Sequence, residues 1–282
     1  MIVITGATGQ LGRLVIDSLL QKVPASSLVA AVRNVEKAED IAALGVQVRQ
    51  ADYNDPTGWD AALQGADRVL LISSSEVGQR IQQHQNVIAA AKRAGVQLLA
   101  YTSILHADIS MLTLAEEHRE TEAAIKASGL PSVILRNGWY TENYTMGIGT
   151  ALALGAVYGC AGDGRISSAV RADYAEAAAV ALASDNQAGR VYELAGDTAY
   201  TLSDLAAEIS RQSGKTVNYV NLPESEYKDV LVGAGLPEAF AAILANADTG
   251  VSKGALFEDG KQLSTLIGRP TQGWEAAVKA AL

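Results

Sequence analysis

The chain has 282 residues, 49% of them hydrophobic, with a formal net charge of −9. That length suits one large α/β domain or a nucleotide-binding domain with a smaller companion. The acidic balance without any Lys/Arg run argues against nucleic-acid binding, and the lone cysteine, Cys160, excludes an intrachain disulfide and fits a reducing cytoplasm.

The first twelve residues carry the strongest signal. A β-branched apolar run, Ile2–Thr5, reads as a buried parallel strand and starts the chain without a basic leader. It ends in a turn with glycines at Gly6, Gly9 and Gly12, and an apolar helical pattern (Leu11, Leu14, Val15, Leu19) follows. Strand, glycine turn and helix start together make a dinucleotide site. Turn glycines let the backbone approach a pyrophosphate, the helix start offers free N–H groups, and the last glycine allows close helix–strand packing. The residues expected around the diphosphate are Gly6, Ala7, Thr8, Gly9, Gln10, Leu11 and Gly12. The spacing G-x-x-G-x-x-G points to short-chain-reductase-type proteins.

Further along, strands are predicted at Leu28–Val32, Val46–Gln50, Arg68–Ile72, Leu98–Thr102, Ser132–Arg136 and Val191–Leu194. Helices are predicted between them, at about Leu11–Leu20, Val35–Leu44, Trp59–Leu63, Ile81–Ala94 and Leu114–Ser128. The alternation implies an α/β fold: a Rossmann-type doubly wound parallel sheet, with a small C-terminal lobe. Residues 1–144 are assigned to the dinucleotide-binding domain and 145–282 mostly to the lobe, with 191–194 returning to the main sheet. In the lobe, Gly155–Gly164 is glycine-rich, and Ser203–Gln212 is helical with Thr201 or Ser203 near its cap. Ser225–Val232 and Pro237–Asn246 are also helical, and Pro270 splits Leu263–Leu282 into two pieces. No apolar run reaches membrane-spanning length.

Ligands of such sheets lie beyond the carboxyl ends of the strands. The second strand ends Val32-Arg33-Asn34, with no acidic residue at its tip. A carboxylate there would bind a ribose 2′-hydroxyl, whereas Arg33 can grip a 2′-phosphate and so favours NADPH. Lys37 is a possible helper or a surface lysine. Asp52 is either an acceptor for the adenine amino group or a turn residue. Ser73, Ser74 and Ser75 close the fourth strand and are assigned to the cofactor.

Chemistry at the other end lacks the usual device. Typical short-chain dehydrogenases use Tyr-x-x-x-Lys, and none of the ten tyrosines has that lysine (Tyr101 meets Leu105, Tyr140 meets Tyr144, Tyr174 meets Ala178). His84, His106 and His118 are scattered, without metal-ligand spacing, so no metal is expected. His106 reads as a surface loop residue or a weak proton donor, and His118 as a residue of a solvated helix face. Cys160 reads as a packed small residue. An acceptor that takes hydride directly, such as a quinone or a cationic dye, needs mainly orientation and water exclusion. Ser103 and Asn137 can bond a carboxamide or quinone oxygen, and Asn143 is a parallel candidate for orienting substrate. Trp139, Tyr140 and Tyr144 form either an aromatic wall or a fastening for the lobe.

The segments Ile4–Gly12 (ITGATGQLG), Leu71–Arg80 (LISSSEVGQR), Tyr101–Asp108 (YTSILHAD) and Leu135–Tyr144 (LRNGWYTENY) resemble the NmrA-like atypical short-chain dehydrogenase/reductases. Within them the chain is similar over its whole length to the bacterial type 2 NAD(P)H:quinone oxidoreductases. The first segment is common to many families; the other three are more specific. The resemblance implies two-electron quinone reduction with NADPH and without flavin. Carried over by position, it puts Asn137, Gly138, Trp139, Tyr140, Thr141, Glu142 and Asn143 along the nicotinamide and substrate cleft; together with the residue reading above, the catalytic candidates are Asn137, Tyr140, Asn143 and Ser103. Triphenylmethane dye reductases are similar through the first 60 residues and are expected to diverge after the fourth and fifth strands. An NADP(H)-sensing regulatory protein, a cytoplasmic location and a homo-oligomer are further expectations.

Overall fold

The computed structural model describes residues 1–282. Its strands are β1 (Ile2–Ile4), β2 (Leu28–Val32), β3 (Gln47–Gln50), β4 (Arg68–Leu71), β5 (Leu98–Ile104), β6 (Ser132–Asn137), β7 (Ala156–Gly159), β8 (Val191–Leu194) and β9 (Asn218–Asn221). Its helices are α1 (Gln10–Leu20), α2 (Glu39–Ala43), α3 (Gly58–Ala62), α4 (Arg80–Arg93), α5 (Leu114–Ser128), α6 (Glu142–Thr145), α7 (Ile148–Leu154), α8 (Arg171–Ala183), α9 (Leu202–Ser213), α10 (Glu224–Gly233), α11 (Glu238–Val251), α12 (Gln262–Ile267) and α13 (Trp274–Ala281). The chain divides into a first unit, Met1–Ala107, Glu116–Asn137 and Arg171–Tyr192, and a second, Asp108–Ala115, Gly138–Val170 and Glu193–Leu282.

The seven-stranded sheet runs β3-β2-β1-β4-β5-β6-β8. The pairs from β3 through β6 are parallel, and the register sets Ile2 between Leu28 and Arg68. All seven strands fall where the apolar runs predict them. Every residue of β1, β2 and β5 is buried. Helices on both faces make such strands continuous apolar runs rather than alternating ones. Trp59 and Tyr101 anchor one core cluster with Val3, Val69, Leu71 and Leu99. The strand order reverses between β1 and β4, the switch point at which a doubly wound sheet opens a crevice.

Helix α8 packs against α1 and has no counterpart in the sequence reading. Its sequence, RADYAEAAAVALA, buries Ala175, Ala177, Ala178, Ala179 and Ala181. Small residues buried on several sides leave no amphipathic stripe to detect.

In the second unit β7 pairs in parallel with β9, from Ala156 opposite Asn218 to Gly159 opposite Asn221. The glycine-rich reading of Gly155–Gly164 therefore conceals a strand. Thr201 caps α9 in a reciprocal box with Asp204, as the sequence suggests. The expected break near Pro270 is present, but α12 already stops at Gly268, which takes a left-handed conformation. Helices α6 and α7 are also additions to the sequence reading. No helix of the chain is long and apolar enough to cross a membrane.

Candidate active site

The glycine turn is tightly wound and leaves the start of α1 uncapped by any side chain. Gly6 sits at φ +56°, in the left-handed region. A Cβ on Gly12 would lie 2.5 Å from the Gly6 carbonyl oxygen and 2.7 Å from the Ala7 Cα, so α1 approaches the turn as closely as a helix can. The Gly9 N–H donates to the Gly6 carbonyl at 2.9 Å and closes the turn. Gly9 caps α1 without a side-chain hydrogen bond, and Gly9 and Gln10 are exposed. The first-turn N–H groups of Gln10, Leu11 and Gly12 have no intrahelical acceptor and sit at the positive end of the helix dipole. Ala7 and Leu11 are buried and fix the turn from below, while Thr8 is half-buried. Tyr53 braces the floor: its hydroxyl donates to the Ile72 carbonyl and meets Thr5 Oγ1, each at 2.6 Å.

Arg33 stands at the tip of β2 with 71% of its side chain exposed. Its Nη1 lies 3.4 Å from Glu76 Oε1. Arg13, unremarked in the sequence, donates to the Thr8 carbonyl at 3.2 Å and to the Lys37 carbonyl at 2.8 Å, and pairs with Asp40. It ties the glycine turn to the residues leading into α2. Asp52 accepts a hydrogen bond from the Asn54 N–H at 2.9 Å, and its carbonyl receives the Trp59 indole N–H at 2.8 Å. Of its two expected roles, the turn is the one its bonds display.

The three serines after β4 differ. Ser73 is half-buried, its N–H donating to Thr102 Oγ1 at 2.8 Å, and Ser75 is exposed. Ser74 is buried and structural: its Oγ accepts the Glu76 N–H at 3.1 Å, and its N–H donates to His84 Nε2 at 3.0 Å. That bond leaves His84 Nδ1–H to donate to Thr121 Oγ1 at 2.9 Å. Arg80 Nε donates to the Ser74 carbonyl at 2.5 Å, and Arg80 Nη1 reaches His118 Nε2 at 3.5 Å. His118 Nδ1 then faces the Tyr101 hydroxyl at 2.7 Å. Glu117 accepts the Gly78 N–H at 2.8 Å and stands 3.9 Å from Arg80. Burial, reinforced by the Arg80 charge, pushes both histidines down to about 3, so they are neutral. The expectation of a solvated His118 is thus corrected: it lies only 4% exposed on the inner face of α5.

Ser103, in β5, is buried and donates to Glu122 Oε1 at 2.5 Å. Arg136 grips the same carboxylate with Nε and Nη2, at 3.0 and 2.8 Å. The Ser103 hydroxyl is therefore committed to an internal ion pair. Asn137 ends β6, is 5% exposed, and its Oδ1 is buried with no hydrogen-bond partner. An orphaned acceptor of this kind marks an unfilled role. His106, at φ +53°, occupies a left-handed position just past β5.

The chain re-enters the second unit at Gly138, whose N–H donates to the Leu194 carbonyl at 2.7 Å. Trp139 and Tyr140 are half-buried, and their backbone meets Ala169. Thr141 is buried, its Oγ1 2.8 Å from Ser168 Oγ, which in turn lies 2.7 Å from the Tyr200 hydroxyl. Glu142 and Asn143 open α6 and are half-buried. Tyr144 packs edge-on against Tyr200, which stacks on Trp274 at 4.4 Å. Its ring contact thus lies within this unit. The Tyr144 hydroxyl is buried without a partner, and burial together with the Asp248 charge holds it well above its usual range. Asp248 is 4% exposed, accepts the Cys160 N–H at 3.2 Å, and is pushed up to about 7 by burial. Cys160 is buried, its Sγ 3.2 Å from the Ala245 carbonyl, and burial raises its thiol to about 11. It is a packed residue, not a thiolate.

Known proteins are similar to this chain over nearly its whole length. The model of the NmrA-like family fits residues 1–265. Quinone oxidoreductase 2 of Escherichia coli (strain K12) is 58% identical over 271 residues, which span 96% of this chain and 95% of that protein. The crystal structure of NADPH-dependent quinone oxidoreductase QOR2 from Escherichia coli, complexed with NADPH, superposes with a TM-score of 0.98 at 56% identity, over 99% of both chains. Triphenylmethane reductase from Citrobacter sp., complexed with NADP(H), gives a TM-score of 0.96 at 40% identity over 100% of both chains. Its likeness therefore does not stop after the fourth and fifth strands, contrary to expectation. The chain belongs to the NmrA-like family.

Proposed function

We propose that this protein is an NADPH-dependent quinone oxidoreductase. What carries the reading is the 58% identity with quinone oxidoreductase 2 across 96% of the chain, joined to a turn–helix junction built for a diphosphate. The glycine turn and the uncapped start of α1 hold the two phosphates. Arg33 takes the 2′-phosphate through its exposed guanidinium. Ser73 supplies a hydroxyl beside the switch point. The buried Asn137 Oδ1, which lacks a donor, fits the N–H of a carboxamide. The residues therefore suit the cofactor on the grounds of the molecule's own unfilled polar groups.

When bound, NADPH supplies a hydride, so that a quinone, that hydride and one proton give the hydroquinone. The chain's own contribution is to orient flat rings and exclude water. The segment directly after β6 offers two groups for this: the Asn143 amide, able to donate to a quinone oxygen, and the Tyr140 ring. Asn137, Tyr140 and Asn143 are the positions we assign to acceptor and nicotinamide. Ser103 is a weaker candidate because its proton already goes to Glu122. A buried lone cysteine and the absence of a membrane-crossing helix support a reducing, aqueous compartment as the place of work.

The full-length likeness to triphenylmethane reductase favours a second acceptor class, cationic dyes. Anaerobic stopped-flow oxidation of NADPH against quinones, triphenylmethane dyes and activated alkenes separates the two. Fast two-electron turnover with quinones is expected. Binding of NADPH with no turnover on any acceptor would leave a dinucleotide sensor instead.

A further inference from the structure

Glu76 is a residue of the post-β4 loop whose carboxylate is set in place rather than free. Its N–H donates to Ser74 Oγ at 3.1 Å, and its Oε2 accepts the Gln83 Nε2 at 2.8 Å. Gln83 is itself 1% exposed and gives a second hydrogen bond, at 3.1 Å, to Asn54 Oδ1. Below, Arg80, His84 and Glu117 bind the backbone of Ser74 and Gly78 and hold the loop to α4 and α5. The free oxygen of this carboxylate, Oε1, is the one that faces Arg33, at 3.4 Å.

From this geometry we infer that Glu76 is a specificity-determining residue for the dinucleotide: it competes with the 2′-phosphate for Arg33 and so sets the preference for NADPH over NADH below what Arg33 alone would give. The inference rests on the proposed reading of Arg33. A phosphate that reaches Arg33 must displace the Glu76 oxygen, and the carboxylate then stays beside the phosphate because Gln83 keeps it there. Like charges so placed repel. A dinucleotide without the 2′-phosphate meets no such repulsion, and its ribose hydroxyl can donate to the same carboxylate. A merely solvated ion pair would have no effect that distinguishes the two ligands.

The test uses the adenosine half of the cofactor alone: adenosine 2′,5′-bisphosphate and adenosine 5′-monophosphate, titrated calorimetrically into the whole protein at low salt. Glu76→Gln keeps the shape of the side chain and the bond to the Ser74 hydroxyl through the backbone. It should tighten the bisphosphate about three- to ten-fold, with the monophosphate unchanged or weaker. The gain should shrink at high salt and vanish in the Arg33→Ala background. Equal shifts of both probes, or no shift of either, would overturn the role of Glu76. Arg33→Ala in the otherwise unchanged protein is the control: if it fails to weaken the bisphosphate relative to the monophosphate, the Arg33 reading itself fails, whatever Glu76→Gln does.

Discussion

Each unit of the protein buries a cluster of polar side chains, and the two clusters are built on opposite terms. In the first unit His84, His118, Arg80, Tyr101 and Thr121 form a chain in which each histidine nitrogen has a partner. The rings stay neutral, and the chain's role is to hold the loop from Ser73 to Gln79 beneath the proposed cofactor site. In the second unit Asp248 receives a single N–H, from Cys160, and the Tyr144 hydroxyl has no partner. A buried carboxyl with one donor keeps its proton up to about 7. The first cluster is a scaffold in which all four histidine nitrogens are engaged, with Glu117 Oε2 at its edge as the oxygen without a hydrogen-bond partner. The second retains proton-carrying groups that its own packing does not use.

The largest test of this contrast removes Arg80. Its loss strands the Glu117 carboxylate, whose side chain is only 12% exposed, and Arg80→Ala should cost about 3–5 kcal/mol in urea unfolding. The pH dependence of stability comes next, and the clusters pull in opposite directions. The histidines titrate at about 3 when folded and near 6.5 when unfolded, so the unfolded chain binds more protons between those values. Stability is therefore lost as pH falls from about 6.5 towards 3. Asp248, raised to about 7, does the reverse: the folded chain holds the extra proton, and stability falls as pH rises from about 4 to 7. Asp248→Asn should remove that second slope alone and stabilise the protein by about 1–3 kcal/mol near pH 8, read from unfolding curves on both sides of neutrality. A smaller effect sharpens the comparison. Tyr101→Phe deletes a hydroxyl bonded to His118 and should cost about 0.5–1.5 kcal/mol, whereas Tyr144→Phe deletes an orphan and should be neutral or stabilising. Equal costs for the two would erase the distinction between the clusters.

The centre of the sheet was legible because β1, β2 and β5 are buried along their whole length. Leu28–Val32 is apolar without interruption and Leu98–Ile104 opens on the apolar run Leu98–Ala100, a pattern that needs no partner to be recognised. The glycine turn was legible for the same local reason: strand, turn and helix are contiguous. Elements that depend on distant partners were not. β7 is defined by residues from Asn218 to Asn221, and half-exposed Val157 and Tyr158 give it no signal of its own. His118 was hidden by its charged neighbours, although its spacing to Thr121 and Ile125 puts all three on one helical face. The commitment of Ser103 to Glu122 and Arg136, and the approach of Glu76 to Arg33 from 43 residues away, follow from the sheet's topology and have no signature in sequence order.

The central claim is that the glycine turn and Arg33 together hold a reduced, 2′-phosphorylated dinucleotide. It is tested most directly by calorimetric titration of NADPH and NADH into the protein and its Arg33→Ala variant. The account predicts that the substitution costs NADPH about 1.5–3 kcal/mol of binding, the worth of a charged hydrogen bond, and leaves NADH nearly unchanged. An equal loss for both dinucleotides, or none for either, would contradict it.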